Sequence, residues 1–185
     1  MEILAKKSEK EFTVEEFLQL EEELCQLINR RAIMTPAPNS NHQKLVRELL
    51  LQFTKFADSS SFFFAPLDVF LDNKNVFQPD LLYVPKERKN IVKERGIEGA
   101  PDLVVEVLSP SNAYLDRYTK KDTYFRCGVK EYWIVDPANK TLEIYTLAQE
   151  DKNTPLLNLV EEGEITSTVI PQLKFDLKEV FKTLS

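Results

Sequence analysis

The sequence predicts one α/β domain spanning residues 1–185, with a mixed sheet, and three observations predict it. Short apolar runs bounded by turn residues recur between residues 61 and 170, with the length and composition of buried strands. Leu45, Val46, Leu49, Leu50, Phe53 and Phe56 recur at helical spacing and mark one long amphipathic helix. A second helix, from about Ala113 to Cys127, separates two of the most apolar runs, Pro101–Ser111 and Glu131–Asp136. The chain is 43% hydrophobic and 29% charged, ordinary for a globular protein and sufficient for a sizeable core. No apolar run approaches a membrane span, and residues 1–10 lack the apolar stretch of a signal peptide. Cys25 and Cys127 are far apart and indicate neither a disulfide framework nor a CxxC zinc site. A cytoplasmic protein without a membrane partner is the expectation.

Taken in order, Thr13-Val-Glu-Glu16 is a capping-box spacing, so a short helix starts at Thr13, with Glu21–Glu23 ending it on a solvated face. Leu24–Ile28 and Ala32–Thr35 flank Asn29-Arg30 and read as a small hairpin whose turn lacks its usual glycine. Pro36–Ser40 is a rigid connector, and Ser40-Asn-His-Gln43 is a second capping box at the head of the long helix. Strands follow at Ser61–Pro66, Leu67–Leu71 and Val76–Val84, the last two joined by a turn at Asp72–Asn75. Pro79 inside the third cannot donate to a ladder and marks an edge, a bulge or a strand start. Lys86–Arg95 is a basic helix or loop, and Gly96–Ala100 a flexible lead-in to Pro101–Ser111. Gly128 suits the end of the second helix. Strands at Glu131–Asp136, Thr141–Leu147, Leu156–Val160 and Glu164–Ile170 then lead to a terminal helix, Leu177–Leu184, capped by Asp176.

The net charge of −6 argues against a protein that coats nucleic acid. The charge is uneven, however. Residues 86–130 carry 10 basic and 7 acidic groups, the only section with a basic excess, and they bracket Glu106. Glu106 sits in the middle of the run Leu103–Leu108, where an ionised carboxylate is costly unless a cation, donors or a proton compensates it. It is a metal ligand, or the strand is an edge, or Glu106 is the partner of a structural Lys or Arg. Asp80 is a second carboxylate in a strand, placed where Pro79 makes the backbone irregular. If the two strands are neighbours, both carboxylates face one cavity, and hard oxygen ligands of that kind suit Mg²⁺ or Mn²⁺. Lys120 lies on the following helix, within reach of the end of the strand. Its alternative is a helix salt bridge with Asp116 at i,i+4. His42, the only histidine, lies in the first turn of the long helix, as a hydrogen-bonded residue or as a ligand.

The order of these motifs closely resembles the Uma2 family of restriction-endonuclease-like proteins. The likeness rests on Gln78-Pro-Asp80, on Gly99-Ala-Pro-Asp-Leu-Val-Val-Glu106-Val-Leu-Ser-Pro-Ser111, and on Asp116-Arg-x-x-Lys120-x-x-x-Tyr124-x-x-x-Gly128 running on to Glu131-Tyr-Trp-Ile-Val-Asp136. Pro36-Ala-Pro38 with His42, Ala65–Val69 and Ile170–Phe181 extend it over nearly the whole chain. The resemblance implies a PD-(D/E)XK nuclease core, with an N-terminal helix and hairpin and additional C-terminal strands. It implies Asp80 and Glu106 as the acidic pair and metal ligands. Lys120 would replace the lysine that such sites carry two residues after the second acid, a position held here by Leu108. His42, Arg117 and Lys121 would contact substrate. Asp102, only four residues before Glu106, suits the second ligand less than Asp80 does. A Mg²⁺- or Mn²⁺-dependent endonuclease acting on DNA, working as a homodimer, is the leading expectation. A nucleic-acid-binding or regulatory module without catalysis, and a dimerisation domain with Tyr132-Trp133 in its contact, are the alternatives.

Overall fold

The computed structural model describes residues 10–20, 24–110 and 112–184. Helix α1 (Val14–Leu18) begins with the expected box: the Thr13 side chain accepts from Glu16 N and the Glu16 side chain accepts from Thr13 N. Its predicted acidic end, Glu21–Glu23, lies outside the described residues. Strands β1 (Cys25–Ile28) and β2 (Arg31–Met34) form the hairpin. Asn29 (φ 49°) and Arg30 (φ 66°) are both left-handed, which gives the turn the twist that a tight hairpin needs without glycine.

Helix α2 (Ser40–Phe53) is capped one residue earlier than the sequence suggests. Asn39, in extended geometry, accepts from His42 N at 2.9 Å, and Ser40 becomes the first helical residue. Asn caps as well as Ser, so the following box spacing did not decide the boundary. Leu45, Leu49 and Phe53 are its buried stripe.

Strands β3 (Phe62–Phe64), β4 (Val69–Asp72), β5 (Asn75–Phe77) and β6 (Leu81–Tyr83) follow. The single strand expected from Val76 to Val84 is two strands in two different sheets. The break falls on Gln78-Pro79-Asp80, where proline withholds a donor and the chain changes sheets. After a 3₁₀ segment at Lys86–Ile91 come β7 (Val92–Lys93), β8 (Gly96–Glu98) and β9 (Leu103–Val107). The lead-in expected at Gly96–Ala100 is therefore partly strand, with β8 parallel to β4. Gly96 is there for close approach: a Cβ on it would meet Asp68 O at 2.3 Å.

A π-helical segment, Leu115–Lys120, continues into α3 (Lys121–Cys127), which Gly128 closes at φ 102°. The remaining strands are β10 (Glu131–Asp136), β11 (Thr141–Thr146), β12 (Leu157–Val160), β13 (Glu164–Thr166) and β14 (Lys174–Asp176). Helix α4 (Leu177–Phe181) is capped by Asp176, which accepts from Lys178 N. The strand predicted to reach Ile170 stops at Thr166. Beyond it Ser167 Oγ and Thr168 N donate instead to the buried Glu131 carboxylate, at 2.8 and 2.7 Å.

One six-stranded sheet has the order β12-β11-β10-β9-β6-β3, a second β2-β1-β5-β4-β8-β7, and β13-β14 pair separately. In the first sheet only β9 and β10 are parallel, linked by the segment 115–127; its other pairings are antiparallel. Helices α2 and α4 cover one face, with Leu45, Leu49, Phe53, Leu103, Val105 and Trp133 in that core. The other face packs Leu82, Val104 and Ile134 against Tyr124, Phe125 and the second sheet. Phe53 and Trp133 meet edge to face at 5.0 Å. No helix among the described residues is long and apolar enough to cross a membrane.

Candidate active site

Sheet register brings the two acids together. Strand β6 runs antiparallel to β9 with Leu81 opposite Val105, so Asp80, just before β6, comes to the level of the end of β9, and both Asp80 and Glu106 line one cavity. Asp80 Oδ2 accepts from Val107 N at 2.7 Å, which ties the irregular 78–80 segment to the end of β9. His42 Nε2, from the first turn of α2, lies 3.0 Å from the same oxygen. Glu106 is 3% exposed in a strand whose five residues are all buried. Its Oε1 accepts from Lys120 Nζ at 3.0 Å and from Tyr124 OH at 2.8 Å. Lys120 Nζ also lies 3.0 Å from Asp116 Oδ1, at ion-pair distance but off hydrogen-bond alignment. The π-helical winding of 115–120 stacks Asp116 and Lys120 on the face turned to β9, a local irregularity of the sort common at functional sites.

The electrostatics follow from three buried or half-buried acids around one ammonium. Burial pushes the Glu106 carboxyl up to about 8; Lys120 pulls it down, while Asp116 and Asp80 add to the rise. Burial also raises Asp116, opposed by Lys120. For Lys120, burial favours loss of the proton, but Asp116 and Glu106 outweigh it, and the net shift is upward. Burial likewise lowers His42, yet the Asp80 carboxylate more than offsets it and the imidazole is raised above 6.5. A cluster so arranged takes up a proton or a cation.

That has a measurable sign. The Glu106 carboxyl moves from 4.5 unfolded to about 8 folded, so its contribution to stability is full below about pH 4.5 and is lost as pH rises through 8. Thermal melts in a chelating buffer should show stability falling across that window. Glu106→Gln, which mimics the protonated carboxyl, should flatten the fall; equal slopes in the two proteins would show that Glu106 holds no such proton.

The acids open onto a cavity of about 620 Å³ lined by His42, Asp80, Glu106, Asp116, Lys120 and Asp136 among others. A family model described as "Putative restriction endonuclease", that of Uma2, matches residues 14–178. The chain belongs to the Uma2 family. Its fold is also similar to the crystal structure of "a putative nuclease belonging to DUF820" from Anabaena variabilis, with a TM-score of 0.76, 20% identity, and coverage of 94% of this chain and 99% of that one. Together these give the restriction-endonuclease-like fold. Comparison with curated proteins yields no match.

Within this Uma2 chain the structure gathers Asp80, Glu106, Lys120 and His42 around one cavity, and it leaves Arg117 and Lys121 out of the lining. Each follows a residue that faces β9, and one further step around the helix turns it away. Arg117 binds Glu143 at 2.5 Å and approaches Asp136 at 3.6 Å. Lys121 Nζ lies over the Tyr145 ring, 4.4 Å from its centroid, and burial lowers its pKa. Both have local partners and stand outside the cavity lining. Leu108 is buried, and the ammonium nearest Glu106 is that of Lys120, 3.0 Å from its Oε1. Asp102 is buried between Arg88 and Lys130, a structural ion cluster. Tyr132 and Trp133 are fully buried, so neither can form a dimer contact.

Sequence reasoning took Asp116 only as a helix salt-bridge partner and Tyr124 only as part of the motif. Their spacing was the available signal: four residues either side of Lys120, both fall on the face that meets Glu106. Most of the basic groups of residues 86–130 have an acidic partner. Lys86, Arg88, Arg95, Arg117, Lys120, Arg126 and Lys130 are each paired with a carboxylate.

Proposed function

We propose that this protein is a divalent-metal-dependent endonuclease that hydrolyses phosphodiester bonds in DNA. The observation that supports it most is that Asp80 and Glu106, remote in sequence, line one cavity, with the Lys120 ammonium bound to Glu106. Among the described residues no three His, Cys, Asp or Glu side chains are arranged to hold a metal by themselves. The donor set nevertheless fits Mg²⁺ or Mn²⁺, which take one or two carboxylates and fill the remaining positions with water and substrate oxygens. Asp80 and Glu106 would hold the ion. Both hydrogen bonds of Glu106 fall on Oε1, leaving Oε2 as the oxygen for a cation. A bound ion of this kind polarises the scissile phosphate and lowers the pKa of an attacking water.

The chain's own groups supply the rest. Lys120, held protonated by Asp116 and Glu106, serves as a donor and positive charge toward a phosphate oxygen rather than as a base. Tyr124 OH fixes the Glu106 carboxyl so that its second oxygen keeps one direction. His42 bonds Asp80 through Nε2 and so holds that carboxylate in place beside the cavity. The test is incubation of supercoiled plasmid and of circular single-stranded DNA with Mg²⁺, Mn²⁺ or a chelator. Cleavage that needs the ion and disappears in the chelator is expected. Inert DNA with every ion, despite folded protein, would leave the non-catalytic module as the reading.

A further inference from the structure

We propose that the strand entering this cavity is unpaired, with one of its bases stacked on Phe64, and that a double helix is the poorer ligand. The inference rests on the proposed hydrolytic site for where the phosphate sits, and three further observations carry it. The first is charge. Among the described lining residues Lys120 is the only lysine or arginine, and it is 3% exposed and tied to Glu106. The lining acids are Asp80, Glu106, Asp116 and Asp136. Duplex DNA is held chiefly by Lys and Arg contacts to the phosphates of both strands, and this rim offers no row of them. A few phosphates of one strand, met by a bound cation, ask much less of it.

The second is an exposed aromatic ring in the right place. Phe64, the last residue of β3, pairs with Leu81, one residue along the chain from Asp80, where the sheet ends at the cavity. It lines the cavity and is nevertheless 56% exposed, where Phe62 is buried and Phe63 half-buried. An aromatic face open to water at the edge of a phosphate site is what an unstacked base can cover, whatever its identity. Tyr114, next to the lining residue Ala113 and 72% exposed, offers a second ring on the helical side.

The third is size and lining chemistry. A cavity of about 620 Å³ encloses a nucleotide but not a double helix. Its uncharged polar groups include Gln43 and Asn112, amides able to bond the edges of a base that pairing would otherwise occupy.

The experiment measures fluorescence anisotropy of a labelled twelve-nucleotide oligothymidine, alone and annealed to oligoadenine, with Ca²⁺ as a hard cation in the site. The proteins are wild type, Phe64→Ala and Phe64→Trp. Wild type should bind the single strand about ten-fold tighter than the duplex, Phe64→Ala should lose about ten-fold on the single strand, and Phe64→Trp should restore it. Equal or tighter binding of the duplex, no binding of either, or indifference to Phe64→Ala would overturn the inference. Binding does not require turnover, so the two readings fail separately. Ion-dependent plasmid nicking with no role for Phe64 removes this inference alone, whereas Phe64-dependent binding without cleavage by any ion removes the hydrolase.

Discussion

Lys120→Met should lower the free energy of unfolding by about 3–5 kcal/mol, the usual cost of removing one partner from a buried ion cluster. Lys120 is 3% exposed, and its ammonium stands between the Glu106 and Asp116 carboxylates at 3.0 Å from each. Without it, two buried acids lose their shared cation and each must take up a proton or remain charged in an apolar surrounding. Urea denaturation followed by tryptophan fluorescence reports this well, since Trp133 lies fully buried in the core beneath α2. The midpoint should fall with an unchanged slope. Adding Glu106→Gln should recover much of the loss, because the neutral amide needs no counter-charge, and the two changes are far from additive. The double variant should fold and yet fail to cleave DNA. A Lys120→Met protein as stable as wild type would mean that the ammonium is not held in the cluster.

Asp80→Asn should produce the opposite profile, a large loss of hydrolysis at small cost in stability. The amide retains an oxygen to accept from Val107 N, so the tie between the 78–80 segment and β9 survives. What goes is the negative charge that would hold a cation and that keeps His42 in place at 3.0 Å. The expected loss in cleavage rate is on the order of 10³-fold, comparable to removal of a main electrostatic group from other hydrolytic sites. The expected change in stability is about 1 kcal/mol, that of one weakened hydrogen bond. Rates on the best DNA substrate and a denaturation curve, measured side by side, give both numbers. A variant that cleaves at the wild-type rate removes Asp80 from the site. One that fails to fold would show that the carboxylate is structural.

The sequence makes the site more legible than the fold around it. Glu106 stands out because an acid in the middle of Leu103–Leu108 demands compensation, and Lys120 is recognisable because it lies one helix later in a familiar order of motifs. The pairing of β6 with β9 that brings Asp80 to the cavity of Glu106 is not visible in the chain, because nothing local says which strands are neighbours. Strand ends were misread where long-range contacts overrule local pattern. Pro79 signals an irregularity but not that the chain passes to another sheet there. Gly96 reads as flexible, and only the nearness of Asp68 O shows that it is a point of close approach. Ser167 and Thr168 read as strand, and the buried Glu131 carboxylate draws them out of it. Arg117 and Lys121 come into the expected site only through the family resemblance, and no local pattern says which way they face. Which face of the helix meets β9 is set by packing, and the π-helical winding at 115–120 alters the ordinary spacing besides.

Asp80 and Glu106 acting as one cation site is the claim on which the proposed function depends, and a melting-temperature titration with Mn²⁺ tests it most directly. An ion that binds only the folded state adds about 2.7 kcal/mol at a hundred times its dissociation constant, a rise of about 5–10 °C for a chain of this size. Wild type should show that rise, and Asp80→Asn and Glu106→Gln should not. No response in wild type, or the same response in all three proteins, would contradict a shared cation site at these two carboxylates.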